Sequence, residues 1–86
     1  MERYKVEIKR SAEKEIESIQ RKDRLRIIKR IWSLSDEPRP SGAKKLSGEE
    51  KYRMRQGNYR ILYQIYDEII TIVVVRVAHR RDVYRR

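Results

Sequence analysis

The chain has 86 residues, enough for a single domain spanning 1–86, and carries 23 Lys and Arg against 13 Asp and Glu for a formal charge of +10. It contains no cysteine, which excludes disulfides, thiolate metal sites and cysteine nucleophiles together and suits a reducing, cytoplasmic setting. No apolar run reaches membrane-spanning length, since the longest, Ile69 to Val75, is broken by Thr71. The charge imbalance points to a polyanionic partner, either nucleic acid or an acidic protein.

The first element is a strand. Tyr4, Val6 and Ile8 alternate with Arg3, Lys5, Glu7 and Lys9, giving one buried face. Ser11 then stands where a helix N-cap is expected, and Ala12, Ile16 and Ile19 follow at helical spacing. Gln20 to Asp23 is a polar break with Asp23 as a candidate cap. Leu25, Ile28 and Trp32 give the stripe of a second helix, widened by Ile27, Ile31 and Leu34, and Pro38 and Pro40 stop it. So short a connection makes the two helices an antiparallel hairpin.

Ser41 to Glu50 is expected to be a loop carrying Lys44 and Lys45. Beyond it the period becomes two. Tyr52 and Met54 alternate with Lys51, Arg53 and Arg55; Gly57-Asn58 is a two-residue hairpin signal; Tyr59, Ile61, Tyr63 and Ile65 alternate with Arg60, Leu62 and Gln64. A turn at Asp67-Glu68 leads into a strand from Ile69 to Val77, apolar on both faces as a central strand would be. The expected fold is α+β with the order β-α-α-β-β-β: one mainly antiparallel four-stranded sheet, a helical hairpin on one face and the other face open.

A two-residue loop at Gly57-Asn58 sets Arg55 opposite Arg60, Arg53 opposite Leu62 and Lys51 opposite Gln64. Tyr52, Met54, Ile61 and Tyr63 then point to the helices, and Lys51, Arg53, Arg55 and Arg60 point away. A shift of one residue would mix arginine with isoleucine on one face. The register sets like charges against each other without an acid in either strand, which destabilises a sheet; an anion on the open face accounts for it.

The available chemistry is narrow. One histidine and no cysteine give no zinc ligand set, there is no Gly-rich phosphate loop ending in GKS or GKT, and no pair of carboxylates falls on the open face to hold two metals. No cofactor is implied. Lys, Arg, Tyr and His suffice for RNA, whose 2′-hydroxyl attacks its own phosphate while guanidinium groups hold the pentacoordinate dianion.

Four segments resemble one family. They are Lys44-Lys45-Leu46-Ser47-Gly48, Tyr52-Arg53-Met54-Arg55, Gly57-Asn58-Tyr59-Arg60-Ile61-Leu62-Tyr63, and His79-Arg80-Arg81-Asp82-Val83-Tyr84. Together they look like the RelE branch of the RelE/ParE toxins, over nearly the whole chain. The resemblance implies a type II toxin–antitoxin toxin that cuts mRNA in the ribosomal A-site without a metal. It implies an acidic, RelB-like antitoxin in a hetero-oligomeric complex, with mRNA and the small ribosomal subunit as further partners. By the same resemblance Lys51 is the general base, Arg53 and Arg60 hold the transition state, Arg80 lies at the leaving 5′-oxygen and Tyr84 stacks on a base. Arg53 stands where the family has a lysine, a change that keeps charge but not shape. Lys44, Lys45, Arg55 and Arg81 are candidate RNA contacts. His79, of the side-chain type that titrates nearest neutrality, is a candidate proton donor or else a support for the strand end. The alternative is the ParE branch, which shares the fold but poisons DNA gyrase without nuclease activity.

Overall fold

The computed structural model describes residues 3–46, 51–79 and 81. Strand β1 (Lys5–Ile8) leads to helices α1 (Arg10–Glu17) and α2 (Arg21–Ser33), then to strands β2 (Lys44–Lys45), β3 (Lys51–Gln56), β4 (Tyr59–Tyr66) and β5 (Thr71–His79). The sheet order is β1-β5-β4-β3-β2. β1 runs parallel to β5 and every other pair is antiparallel. The sheet thus has five strands rather than the expected four. The extra strand comes from the stretch expected to be a loop: Lys44 pairs with Arg53 and Lys45 with Tyr52, and the Leu46 N–H donates to the Lys51 carbonyl at 2.8 Å.

Both helix starts differ from expectation. Lys9, not Ser11, precedes α1, and Gln20, not Asp23, precedes α2; neither caps through its side chain. The Lys9 N–H donates to the Val74 carbonyl, so the chain leaves the sheet and enters the helix within one residue. Tertiary pairing therefore fixes the helix start ahead of the best local cap. Ser11 and Asp23 lie within the first turns.

The core lies between the helices and one sheet face. Ala12, Ile16, Ile19, Ile27, Ile31 and Leu34 pack there against Tyr52, Met54, Ile61, Tyr63, Ile65, Ile72, Val74 and Val77. On α2 the buried line runs through Ile27, Ile31 and Leu34, whereas Leu25 and Trp32 are 54% and 53% exposed. The stripe built on Leu25, Ile28 and Trp32 was therefore centred on the wrong side, with only Ile28 reaching the core edge. Both lines have helical spacing, so periodicity does not choose between them.

The hairpin follows the expected register throughout, with Lys51↔Gln64, Arg53↔Leu62 and Arg55↔Arg60. Gly57 has φ 60° and is the only glycine with positive φ among the described residues. With positive φ at the first loop residue and not at Asn58, the turn has the type II′ pattern, whose twist suits a two-residue hairpin. The last strand begins at Thr71 rather than Ile69, because a 3-10 turn occupies Asp67–Ile69. Ile70 closes that turn with φ 48°, uncommon for a β-branched residue, and its carbonyl accepts the Lys5 N–H at 2.9 Å.

β5 contains a bulge. Leu62 pairs with Arg76 but Tyr63 pairs with Val74, leaving Val75 as the extra residue. One inserted residue reverses the alternation beyond it. Ile72 and Val74 point to the core before the bulge and Val77 does so after it, while Arg76 is kept out.

Candidate functional site: the cationic face of the β3–β4 hairpin

Alternation about the buried Tyr52, Met54, Ile61 and Tyr63 directs Lys51, Arg53, Arg55 and Arg60 to the face opposite the helices. Residues i and i+2 of a strand are about 6.5–7 Å apart, so Lys51, Arg53 and Arg55 form a cationic row. Arg60 lies directly opposite Arg55 and diagonal to Arg53, a neighbour about 7–8 Å away. Lys44 pairs with Arg53 on the other side and extends this face. Gly42, Lys44, Arg53 and Arg55 line a cavity of about 270 Å³ there, where several guanidinium and ammonium groups can converge on one anion.

Not every expected member is on this face. Lys45 pairs with Tyr52, which sends it to the helical side, so Lys44 and Lys45 face opposite ways. His79 pairs with Tyr59, and its ring meets the Tyr59 ring edge-on at 5.6 Å between centroids. It shares a cavity with Glu15, Ser18 and Ile19, and its Nδ1 accepts the Arg81 N–H at 3.2 Å. The Val75 bulge is the cause: unbroken alternation would have put His79 with Val73 on the cationic face. Arg81 is exposed; Arg80 and Tyr84 lie outside the described residues.

Two features hold the sheet that carries the row. Where β1 ends, α1 supplies an acceptor in place of a strand: the Glu15 carboxylate takes the Val77 N–H at 2.8 Å and pairs with Arg76 at 3.3 Å. This satisfies a backbone donor that β1 no longer reaches. At the other end of the sheet Arg39, from the segment after α2, donates to the Tyr52 hydroxyl at 2.9 Å and to Asp67 at 2.8 Å. Its guanidinium also lies 5.3 Å from the centre of the Tyr52 ring, a cation–π distance. Tyr4 donates to the same Asp67 at 2.6 Å. The hydrogen bond from Arg39, aided by that from Tyr4, holds the Asp67 carboxyl below its usual range. Tyr52 stacks on Tyr63 at 5.8 Å; burial pushes the Tyr63 phenol up to about 12, and its hydroxyl donates to the Pro38 carbonyl at 2.8 Å. The network was not anticipated from the sequence, because Tyr4, Arg39, Tyr52 and Asp67 have no spacing that links them.

Over residues 6–84 the chain matches the family described as ParE toxin of type II toxin–antitoxin system, parDE. It is 30% identical to a putative RelE-like toxin protein of Escherichia coli over 86 residues, which takes in 95% of this chain and 90% of that one. A shorter stretch of 35 residues is 54% identical to Toxin RelG of Mycobacterium tuberculosis, spanning 41% of this chain and 40% of that toxin. Among solved structures, the M. tuberculosis toxin–antitoxin complex RelBE2 aligns with a TM-score of 0.80 at 30% identity, covering 90% of this chain and 98% of that one. The strand order, the helical hairpin and these matches agree: the chain belongs to the RelE/ParE superfamily of type II toxin–antitoxin toxins and is RelE-like.

Proposed function

We propose that this toxin is an endoribonuclease that cleaves mRNA on the ribosome, using the cationic face of the β3–β4 hairpin. The observation that carries the reading is the gathering of Lys51, Arg53, Arg55 and Arg60 on one face. In the proposed reaction Lys51 removes the proton of a ribose 2′-hydroxyl, whose oxygen attacks the adjacent phosphorus. Arg53 and Arg60 hold the extra negative charge of the pentacoordinate phosphate, to which a planar guanidinium donates in bidentate fashion. The P–O5′ bond breaks, the 5′-oxygen takes up a proton, and the products are a 2′,3′-cyclic phosphate and a 5′-hydroxyl. Arg80 is proposed at the leaving oxygen and Tyr84 against a base. His79, packed on Tyr59 on the other face, is assigned to supporting the strand end.

The test uses ribosomes loaded with mRNA carrying a single 2′-deoxy residue 5′ of the cleaved bond. Cleavage should stop at that bond and continue on all-ribose message. Cleavage at an unchanged rate would refute the mechanism, and no cleavage of either message, together with inhibition of DNA gyrase, would favour the ParE-type reading. His79→Gln should leave the pH–rate profile unchanged, and a profile that lost one limb would return His79 to the chemistry.

The proposed partner is an acidic, RelB-like antitoxin. The M. tuberculosis relative is a toxin–antitoxin complex, and a chain of charge +10 favours an acidic segment. Leu62 and Val73, partly buried on the open face, are apolar points for such a segment amid the cations. Its affinity should weaken with salt.

A further inference from the structure

The open face does not end with the cationic row. Along β4 the residues Leu62, Gln64 and Tyr66 continue the side on which Arg60 stands, since Ile61, Tyr63 and Ile65 are buried. Gln64 lies directly opposite Lys51. Tyr66 is the next residue on that face, diagonal to Lys51 and about 7–8 Å from it. Tyr63 is buried in the core and Tyr59 packs against it, so Tyr66, 41% exposed, is the tyrosine that β4 offers to this face. Its hydroxyl donates to the Gln64 Oε1 at 2.9 Å. That bond turns the amide oxygen toward the ring and leaves the amide N–H groups to donate elsewhere.

Tyr66 also borders a hollow of about 530 Å³, together with Ile65, Asp67, Glu68 and Ile69. The Glu68 carboxylate, beside an Asp67 already bonded to Arg39, makes the hollow a poor place for a phosphate. Ile69, 67% exposed, adds apolar surface. This end of the face suits an uncharged planar group, while the cationic row next to it suits the phosphate.

We infer that Gln64 and Tyr66 form a nucleobase site beside the proposed reaction centre, one that favours the keto bases guanine and uracil over adenine. The inference rests on the proposed function and adds a base contact to the one proposed for Tyr84. A tyrosine face stacks on any base, so the ring supplies binding and the amide supplies choice. A glutamine reads adenine by donating an N–H while its amide oxygen accepts from the base's amino group. With the oxygen held by Tyr66, the N–H donors that remain fit an acceptor, the O6 of guanine or the O4 of uracil. Tyr66 thus acts twice, as the stacking platform and as the positioning residue that fixes the amide.

The experiment compares wild type with Gln64→Ala and Tyr66→Phe. Its first arm needs no cleavage: the side-chain amides of isotope-labelled toxin are followed by NMR during titration with single-stranded 2′-O-methyl RNA tetranucleotides that differ in one base. The Gln64 amide signal, identified by its loss in Gln64→Ala, should shift more with guanine or uracil than with adenine. The affinities should differ roughly 2- to 13-fold, the worth of one hydrogen bond. The second arm uses ribosomes loaded with messages that differ in one base next to the cleaved bond. There Gln64→Ala should lower the preference for keto bases over adenine by the same factor. Tyr66→Phe keeps the ring but frees the amide oxygen, so cleavage at adenine should rise relative to guanine, which a loss of strand stability would not produce. Amide signals indifferent to the base, or a preference unchanged in both variants, would overturn the inference. So would an unchanged RNA response together with weaker binding of an acidic antitoxin peptide, which would assign this end of the face to the protein partner. Should wild type cleave no message at all, the proposed function fails, and the titration alone still decides whether Gln64 and Tyr66 bind a base.

Discussion

The two faces of the β3–β4 hairpin have the same backbone, the same turn and the same register, yet opposite contents. Tyr52, Met54, Ile61 and Tyr63 fill the core, while the intervening Lys51, Arg53, Arg55 and Arg60 gather positive charge that no buried face would accept. The first set gains free energy from burial and the second spends some on like-charge repulsion. A small domain has a stability of only about 4–13 kcal/mol at this length, so the comparison teaches that its apolar face sustains a cationic face that would not form alone. Stability and the proposed chemistry are then separable by residue, although the residues alternate along the same two strands.

That separation can be tested from both sides. The largest effect is expected at Tyr63, fully buried and bonded to the Pro38 carbonyl: Tyr63→Ala should cost about 3–5 kcal/mol, as for other buried aromatics. Chemical denaturation would measure it, with the cleavage rate per folded molecule unchanged. Arg60→Ala should do the reverse, removing about 2.7–4 kcal/mol of transition-state stabilisation by analogy with the loss of one oxyanion-hole donor. Single-turnover cleavage should fall about 10²- to 10³-fold while ribosome binding persists. If toxicity and cleavage match wild type, the cationic face is not the reaction centre.

Tyr52→Phe sharpens the comparison because Tyr52 sits between Lys51 and Arg53 but faces the core. The ring and its stacking on Tyr63 remain and the bond from Arg39 is lost, a change of about 0.5–1.5 kcal/mol in unfolding free energy. A cleavage rate altered beyond what unfolding explains would mean that the core face also tunes the cations beside it. The smallest effect belongs to Asp67. Its carboxyl is held below the usual range by Arg39 and Tyr4, so its contribution is present at pH values above the unfolded-state pKa, about 3.9. That contribution disappears as pH falls through the lower folded-state value. Asp67→Asn should therefore be slightly less stable than wild type at neutral pH, and the difference should shrink in acid. Thermal midpoints between pH 2 and 7 would check it, and a difference independent of pH would assign the effect to packing.

Much of this molecule was legible in the sequence. The hairpin register followed from Gly57-Asn58 and the strict alternation around it, because a side-chain period of two admits only one pairing that keeps arginine out of the core. The basic face followed from the same alternation, the helical hairpin from apolar residues at helical spacing across a short connection, and the closing strand from an apolar run after a turn. Tertiary structure decided what local patterns leave degenerate. Two apolar lines on α2 have the same spacing, and only contact with the sheet selected Ile27, Ile31 and Leu34 over Leu25 and Trp32. The Lys44–Lys45 strand exists because β3 offers it an edge, not because two lysines favour a sheet. The Val75 bulge, invisible in a run of valines, inverts the strand beyond it; it keeps Arg76 out of the core, seats Val77 there, and turns His79 away from the cationic face. A run that is apolar on both faces carries no phase, so the position of one extra residue is fixed only by what packs and pairs on either side of it.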